Sequence, residues 1–147
     1  MFRNVEGEKM RRELVEKIQN DFPWFPTRNP LFRSDINAPM YIDTDDGWFD
    51  LIYKLCQDID AILKKDAALK QFSVDQVKEK FAGLRFYISG FNGEISSLVQ
   101  KAEAESFKTC ERCGRRGSMY ISGGWYKTLC KKCAELDSER EWTKVRK

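Results

Sequence analysis

Two cysteine pairs in the last third of the chain constrain its fold more than any other feature. Cys110 and Cys113 are separated by two residues, and after sixteen further residues Cys130 and Cys133 repeat that spacing. The pattern is typical of a tetrahedral zinc site, because two intervening residues let both sulfurs of a pair turn toward one ion. A ligand set of four sulfurs favours zinc. The sequence therefore predicts one structural Zn²⁺ held by these four cysteines.

The redox state of the cysteines follows from the rest of the chain. Residues 1–12 are charged and lack the apolar segment of a secretion signal, and no stretch is apolar enough to cross a membrane. We therefore expect a cytoplasmic protein whose clustered thiols bind metal, with unligated thiols or two disulfides as the alternative. The fifth cysteine, Cys56, falls on the apolar face of a predicted helix and is interpreted as buried and inert.

The residues between the two cysteine pairs predict a β-hairpin. Residues 119–122 and 125–129 have strand composition and flank two consecutive glycines, a typical two-residue hairpin turn. Residues 131–142 have helical composition, so the second cysteine pair is predicted on the first turn of a helix. A knuckle, a hairpin and a ligand-bearing helix, over residues 108–142, resemble a treble-clef zinc finger.

The remainder of the chain predicts an α+β fold that is mainly helical, with a helical core and a small β element. The spacing of apolar residues predicts helices over about residues 5–20, 48–65 and 93–107, and strands over residues 40–42 and 84–88. The second helix has the widest apolar face and is expected to lie at the centre of the core. The predicted domains are a mainly helical domain, 1–107, and a four-cysteine zinc finger with a C-terminal helix, 108–147.

A further short helix is predicted before the second strand. Ser73 and Gln76 have the spacing of a capping box, and the helix would contain Val77 and Phe81 and end at Gly83. The strand that follows is expected to pair with residues 40–42.

The composition argues against an enzyme. The chain contains no histidine, which removes the usual general base and the Cys-His and Ser-His pairs. The four cysteine ligands leave no open position for water or a substrate, so the predicted ion stabilises the fold. Four aspartates between residues 43 and 50 resemble the start of a calcium loop, but Lys54 stands where such a loop needs a bidentate Glu. We interpret this cluster as helix capping together with favourable placement of acidic residues at the positive end of a helix dipole.

The finger segment is basic and aromatic. Residues 108–147 hold 11 basic and 5 acidic side chains, against 15 and 18 in residues 1–107. The candidate binding residues are Arg115, Arg116, Tyr120, Trp125, Tyr126, Lys127, Lys131 and Lys132. Such a surface would contact phosphates and stack on the bases of a nucleic acid. The alternative is that Trp125 packs over the hairpin and the basic side chains are simply solvated.

A second candidate surface is the segment 22–32, which contains three prolines and four aromatic residues. Trp24 and Phe25, between prolines, have the character of anchors for a protein partner. The alternative interpretation is that they cover the main helical core.

Three segments carry a resemblance to a known group of proteins. They are DGWFDLI at residues 46–52, VKEKFAGLRFY at residues 77–87, and the cysteine finger at residues 110–133. In this order they resemble a group of small zinc-finger proteins without an assigned activity, encoded by tailed bacteriophages and prophages. The resemblance implies a phage-encoded accessory protein of the host cytoplasm, and it transfers no functional residue.

These patterns favour a non-enzymatic, zinc-containing binding or adaptor protein that recognises a protein partner. The closed metal site, the missing catalytic groups and the aromatic loop motivate this hypothesis. A phage protein of this kind could inhibit a host defence system. The alternative is a nucleic-acid-binding protein that uses the basic finger. No membrane partner is expected, and no oligomeric state is predicted.

Overall fold

The computed structural model describes residues 10–30 and 38–146, and it has the predicted α+β character. The helices are α1 (Arg12–Asp21), α2 (Phe49–Lys65), α3 (Gly93–Ser106) and α4 (Lys131–Leu136). The strands are β1 (Ser73–Lys80), β2 (Gly83–Ser89), β3 (Ser118–Ser122), β4 (Trp125–Leu129) and β5 (Thr143–Lys144). β1 pairs with β2 in one antiparallel sheet, and β3 lies between β4 and β5 in a second.

Helix α2 lies at the centre of the core, as its apolar spacing predicts. A 3-10 turn, Asp46–Trp48, leads into it, and its buried side chains fall on one face: Ile52, Leu55, Cys56, Ile59 and Ile62. Burial of this face supplies most of the apolar contact between the helix and its neighbours. The basic residues Lys64 and Lys65 end the helix, where they complement its dipole.

Helix α1 begins later than its pattern predicts. The backbone N–H of Arg11 donates to the Asp46 carboxylate at 2.9 Å, and Arg11 itself has a non-helical ψ of 142°. The helix therefore begins at Arg12 rather than near residue 5, and residues 5–9 of the predicted helix lie outside the described residues.

The predicted helix at residues 73–83 is wrong, because this segment is strand β1. Val77 pairs with Phe86 and Glu79 with Leu84, so the backbone of β1 bonds to β2 instead of to itself. The Ser73 hydroxyl donates to Asp75 and forms no capping box. A hydrophobic strand directly downstream offered this segment a partner, and that tertiary pairing outweighed its moderate helix propensity.

The predicted strand at residues 40–42 is not a regular strand. Met40 and Ile42 are buried in the main core. Only the next residue reaches the sheet: Asp43 N–H donates to the Val77 carbonyl at 2.9 Å, and its own carbonyl accepts from Glu79. The chain therefore contacts the outer edge of β1 and not, as predicted, the strand at residues 84–88, whose partner is the adjacent β1.

Helix α3 follows the sequence prediction closely. The Asn92 side chain accepts a hydrogen bond from the N–H of Ile95 at 2.9 Å and caps the helix. Its buried residues Ile95, Val99 and Ala102 face β2 and α2. The helix ends at Ser106, so its C-terminus delivers the chain directly to the first cysteine pair.

The predicted hairpin between the cysteine pairs is confirmed as β3 and β4, joined by Gly123 and Gly124 at φ values of 54° and 84°. The C-terminal helix is shorter than predicted and ends at Leu136 instead of residue 142. The Asp137 carboxylate accepts from the N–H groups of Glu139 and Arg140 and so competes with helical hydrogen bonding. The chain then turns back to pair β5 with β3.

The finger segment has a small core of its own, formed by Cys110, Tyr120, Leu129 and Ala134. It also bonds to the main core: the Trp48 indole donates to the Thr109 carbonyl at 2.8 Å, and the Thr128 hydroxyl donates to the Ala82 carbonyl at 2.7 Å. These bonds hold the finger against the start of α2 and the tip of the β1–β2 hairpin. No helix within residues 10–30 and 38–146 is long and apolar enough to span a bilayer.

Candidate metal centre

The four cysteines of the two pairs come together. Their sulfur atoms all lie within 4.8 Å of one another, and Sγ of Cys113 is 3.6 Å from Sγ of Cys130. A tetrahedral ion with metal–sulfur bonds of about 2.3 Å holds its sulfurs about 3.8 Å apart. The sulfur positions therefore fit a single four-coordinate metal ion.

The first pair is shaped by a tight turn. The N–H of Gly114 donates to the Cys110 carbonyl at 2.9 Å, and Gly114 has a φ of 82°, a conformation that glycine adopts without strain. The N–H of Cys110 donates to the Arg115 carbonyl, which closes the turn. Cys110 is buried and Cys113 exposed, so one side of the site faces the finger core and the other faces solvent.

The second pair lies at the start of α4. The Cys130 sulfur accepts a hydrogen bond from the N–H of Cys133 at 3.3 Å, and the N–H of Ala134 donates to the Cys130 carbonyl. Antiparallel pairing of β3 with β4 brings Cys130 next to the first pair, since Leu129 stands opposite Ser118. The hairpin thus closes the site.

The thiols differ in acidity. Burial raises the pKa of Cys110, and burial together with donation to Cys130 raises that of Cys133. Burial would also raise the pKa of Cys130, but hydrogen bonds from the Cys133 N–H and from the other thiols outweigh it and lower the pKa to about 7. A metal ion displaces these protons, because its ligands are thiolates.

A buried carboxylate lies directly behind the first pair. Glu111 is fully buried; its side chain accepts from the Asp45 N–H at 3.0 Å and from the Lys127 ammonium at 2.9 Å. Its backbone N–H donates to the Thr128 carbonyl, and its carbonyl accepts from the N–H of Gly47 at 2.7 Å. Sequence reasoning missed this residue, because an acidic residue inside a cysteine pair normally indicates only a solvated position.

Burial shifts the pKa values of Glu111 and Lys127. Burial raises the pKa of Glu111, and the Lys127 ammonium only partly offsets that effect. Burial alone would lower the pKa of Lys127, but the nearby Glu111 and Glu79 carboxylates raise it, so the ammonium stays charged. Lys127 also lies 3.4 Å from Glu79 and is therefore shared between the finger and β1.

The basic candidates divide into two groups. Lys127 is committed to its two carboxylates. The other four are exposed and have no carboxylate partner in the part of the chain that the structure describes: Arg115, Arg116, Lys131 and Lys132. These four, here called the knuckle cations, lie within three residues of a cysteine of the cluster along the chain.

The aromatic candidates of the finger also differ. Trp125 is 63% exposed, with the Arg140 guanidinium 5.6 Å from its ring centre, whereas Tyr120 is buried in the finger core and Tyr126 is half-buried. Trp125 is therefore the one aromatic residue of this set that presents its ring to solvent.

A groove of about 770 Å³ lies between the hairpin, α4 and the C-terminal segment, lined in part by Tyr120, Lys131 and Trp142. Asp137 is at its wall. A hydrogen bond from the Trp142 indole at 2.7 Å, together with Arg112 and the Glu139 N–H, lowers the pKa of Asp137 far below its usual range. The carboxylate that lines the groove is therefore already bonded to Arg112 and Trp142.

The two candidate anchors of the aromatic-proline segment are packed against the core. Phe25 is 1% exposed. Trp24 is half-buried; its ring lies 5.5 Å from that of Phe72, and its indole N–H donates to Asp60 at 2.9 Å. This geometry agrees with the interpretation in which they cover the main core. Residues 31–37 of the chain, which include the end of this segment, lie outside the described residues.

The remaining candidates are structural. Cys56 is buried, and burial raises the pKa of its thiol. In the aspartate cluster, Asp46 binds Arg11 at 2.7 Å, and neither Asp45 before the 3-10 turn nor any side chain at the start of α2 forms a capping bond. The capping part of the interpretation is therefore wrong, whereas the helix-dipole part is confirmed, because Asp46 lies in the first turn of the 3-10 helix and Asp50 in the first turn of α2.

Comparison of the chain with protein-family models, with curated proteins and with solved structures gave no match. The resemblance to phage-encoded proteins and the cytoplasmic location stay predictions.

Proposed function

We propose that this chain is a non-enzymatic, zinc-stabilised binding protein whose ligand is a nucleic acid. The observation that carries the proposal is the convergence of four cysteine sulfurs within 4.8 Å, with the exposed knuckle cations close to these cysteines in the chain. Four sulfur ligands select zinc and fill its coordination shell, which leaves no position for a water or a substrate. The ion then supplies folding energy, and the surface around it supplies recognition.

The order of elements supports a treble-clef-like finger. The first cysteine pair forms a knuckle, the β3–β4 hairpin follows, and the second pair lies at the start of α4. In this arrangement zinc replaces the large core that so short a segment cannot form.

The zinc proposal has a direct test. Purified protein should contain one zinc ion per chain, and Cys113→Ser should lose the ion and open residues 108–146 to protease. Cys56→Ala is the matched control, because it removes a buried thiol outside the site and should keep the ion. Unchanged metal content in Cys113→Ser, or unchanged stability after chelation, would contradict the proposal.

Charge is what supports a nucleic acid as the ligand. The knuckle cations have no carboxylate partner among the described residues, whereas some exposed cations elsewhere are paired, as Lys17 is with Asp21. An ion held by four thiolates carries a net charge of −2, which these side chains would neutralise and exceed. The excess positive charge is available to phosphates.

Salt-dependent titration tests this ligand. We expect the affinity of the zinc-loaded protein for DNA or RNA oligonucleotides to fall steeply with added salt. Replacing two knuckle cations, as in Arg115→Ala/Arg116→Ala, should weaken binding and flatten the salt dependence. Lys65→Ala/Lys70→Ala removes the same charge from exposed positions at and just beyond the end of α2 and should have a smaller effect. Equal effects of the two double variants would contradict binding at the finger.

A protein partner is the second candidate, and two exposed apolar residues favour it. Leu136 is 70% exposed and Trp125 63%, both on the finger that also forms the groove. Exposed aromatic and aliphatic side chains of this kind anchor protein interfaces. With the resemblance to phage proteins, this candidate becomes an adaptor or inhibitor acting on a host protein. Loss of a captured host protein in Leu136→Ser, with zinc content unchanged, would support it over the nucleic acid.

A further inference from the structure

The outer face of the β1–β2 hairpin is separate from the metal centre and has its own composition. Strand register places Gln76 with Tyr87, Lys78 with Arg85, and Lys80 with Gly83 on this face. The opposite face carries buried residues such as Val77 and Phe86 and packs on the core. The sequence did not predict this face, because a helix at residues 73–83 would place these side chains on different sides of the segment.

The cations of this face have no acidic partner among the residues that the structure describes. Within residues 10–30 and 38–146, no carboxylate lies within ion-pair distance of Lys78, Lys80 or Arg85. The two lysines instead lie over aromatic rings: Lys78 is 5.8 Å from the centre of the Tyr87 ring, and Lys80 is 5.7 Å from that of Phe81. Three positive charges are therefore presented beside exposed rings.

Three rings are exposed around this face. Phe81 is 65% exposed, Tyr87 43% and Phe107 36%. The Phe107 ring occupies the space next to Gly83, where any Cβ atom would overlap it. Gly83 is therefore the residue that lets a ring from the end of α3 lie beside the strand.

The edges of the hairpin are already closed. On the β2 side, the N–H groups of Phe86 and Leu84 donate to the Glu103 carboxylate and the Ser106 hydroxyl, each at 2.9 Å. On the β1 side, Asp43 bonds to Val77 and Glu79. An added peptide strand would find these edge positions occupied. What the hairpin offers to a ligand is its outer face of side chains.

The tip of the hairpin is held in a strained shape. Phe81 and Ala82 have φ values of 51° and 73°, which cost a residue other than glycine about 1–2 kcal/mol each. The Glu79 carboxylate accepts from the Ala82 N–H at 2.9 Å, and the Thr128 hydroxyl donates to the Ala82 carbonyl. These bonds fix a two-residue turn that directs the Phe81 ring into solvent, and strain of this kind is typical of functional positions.

We propose that the outer face of the β1–β2 hairpin is a docking surface for single-stranded nucleic acid. Lys78, Lys80 and Arg85 contact its phosphates, and its bases stack on Phe81, Tyr87 and Phe107. The charge pattern fits a polyanion, and ring faces are useful only to a strand whose base faces are free, which excludes intact duplex. The inference rests on the proposed nucleic-acid function and adds the strand state and the second surface.

Binding of the full, zinc-loaded chain to labelled oligonucleotides tests the inference. We expect single-stranded DNA or RNA of about a dozen nucleotides to bind more tightly than duplex DNA of equal length. Comparison of the affinities for DNA and for RNA shows which of the two nucleic acids is the preferred ligand. Tyr87→Ala should lower affinity about tenfold through lost stacking, whereas Tyr87→Phe should bind as the parent does. Phe91→Ala, which removes an exposed ring beyond the end of β2, is the control and should bind normally.

Phe81→Gly separates a binding role from a structural one. Glycine accepts the positive φ of the turn, so thermal stability should stay equal or rise while affinity falls about tenfold. A residue that only supported the fold would give the opposite pair of results. Lys78→Gln/Arg85→Gln should also reduce the salt dependence of binding.

Four outcomes would overturn the inference. Parental affinity in both the ring and the cation variants would place the ligand elsewhere, and tighter binding of duplex than of single strands would exclude a stacking surface. Absence of binding to any oligonucleotide would remove the proposed function as well. Loss of affinity in the knuckle variants alone would keep the proposed function and reject this surface.

Discussion

The Nζ atom of Lys127 lies 2.9 Å from Oε1 of Glu111, and Glu111 is fully buried in the turn between Cys110 and Cys113. The same ammonium reaches Glu79 of β1 at 3.4 Å. Lys127 of β4 therefore connects the turn of the first cysteine pair, through Glu111, with the β1–β2 hairpin, through Glu79. A cation assigned by its sequence to ligand binding is instead part of the joint between the finger and the main core.

Removal of this lysine should be costly. Lys127→Met leaves the Glu111 carboxylate buried without its ammonium, and we expect the free energy of unfolding to fall by about 3 kcal/mol. Urea denaturation of the zinc-loaded variant measures this loss.

The matched control removes both charges. Glu111→Gln/Lys127→Met removes the fully buried carboxylate together with its ammonium, and its glutamine can still accept from the Asp45 N–H, so it should be more stable than Lys127→Met alone. If the double variant loses as much unfolding free energy as Glu111→Gln and Lys127→Met lose together, the two side chains are not coupled.

The contact between the knuckle and the 3-10 turn leads to a second prediction. A Cβ atom at Gly47 would overlap the carbonyl oxygens of Cys110 and Glu111, which are backbone atoms that cannot rotate away. Gly47→Ala should therefore push the knuckle from the turn and destabilise the protein by about 2 kcal/mol. We also expect faster transfer of zinc to a chelator, measured with a colorimetric metal indicator.

Gly93→Ala is the control for this substitution. Gly93 is the first residue of α3, and a Cβ there meets no atom within 4 Å, so the change should be neutral or slightly stabilising. Equal destabilisation by the two alanines would mean that the close approach at Gly47 does not matter.

The five thiols should react in a fixed order, which gives a third prediction. In zinc-loaded protein we expect no rapid reaction with an aromatic disulfide reagent, four reactive thiols after chelation, and the fifth only after unfolding. The fifth is Cys56. Burial hides its sulfur and raises its pKa, so its thiolate population is far smaller than that of an exposed thiol, and its reaction in the folded protein should be slow throughout the window from pH 7 to pH 9.

Cys56→Ala identifies the slow thiol, because it should remove the last reacting group and leave the other four unchanged. A thiol that reacts quickly in the zinc-loaded protein at pH 8 would contradict either the metal site or the burial of Cys56.

Local signals predicted the parts of this fold that local chemistry decides. The cysteine spacing predicted the four-cysteine cluster, Asn92 marked the start of α3, and the Gly-Gly pair marked the β3–β4 turn. Each of these is a short-range requirement that a few residues satisfy by themselves. The apolar face of α2 was equally clear, because its spacing repeats along the whole helix.

Long-range partners decided the parts that could not be predicted. The segment of β1 contains Lys78, Glu79 and Lys80, which are compatible with a helix, and it is a strand because β2 is adjacent to it. Lys127 is compatible with a solvated cation and is buried because Glu111 and Glu79 meet it. In both cases the deciding contact joins residues that only the folded chain brings together, and a local sequence pattern does not show such contacts.

The aromatic-proline segment gives the fourth prediction, which separates its two interpretations. Phe25 is almost completely buried, so Phe25→Ala should cost about 3–4 kcal/mol in the free energy of unfolding through the cavity it leaves. Phe91→Ala removes the same ring from a half-exposed position and should change stability by less than about 0.5 kcal/mol. Trp24→Phe should cost about 1 kcal/mol, since it keeps most of the packing but loses the bond to Asp60. A segment that anchors a partner protein would give the reverse pattern: Phe25→Ala would be as stable as the parent and would lose its partner. Urea denaturation of these three variants therefore decides between covering the core and binding a partner.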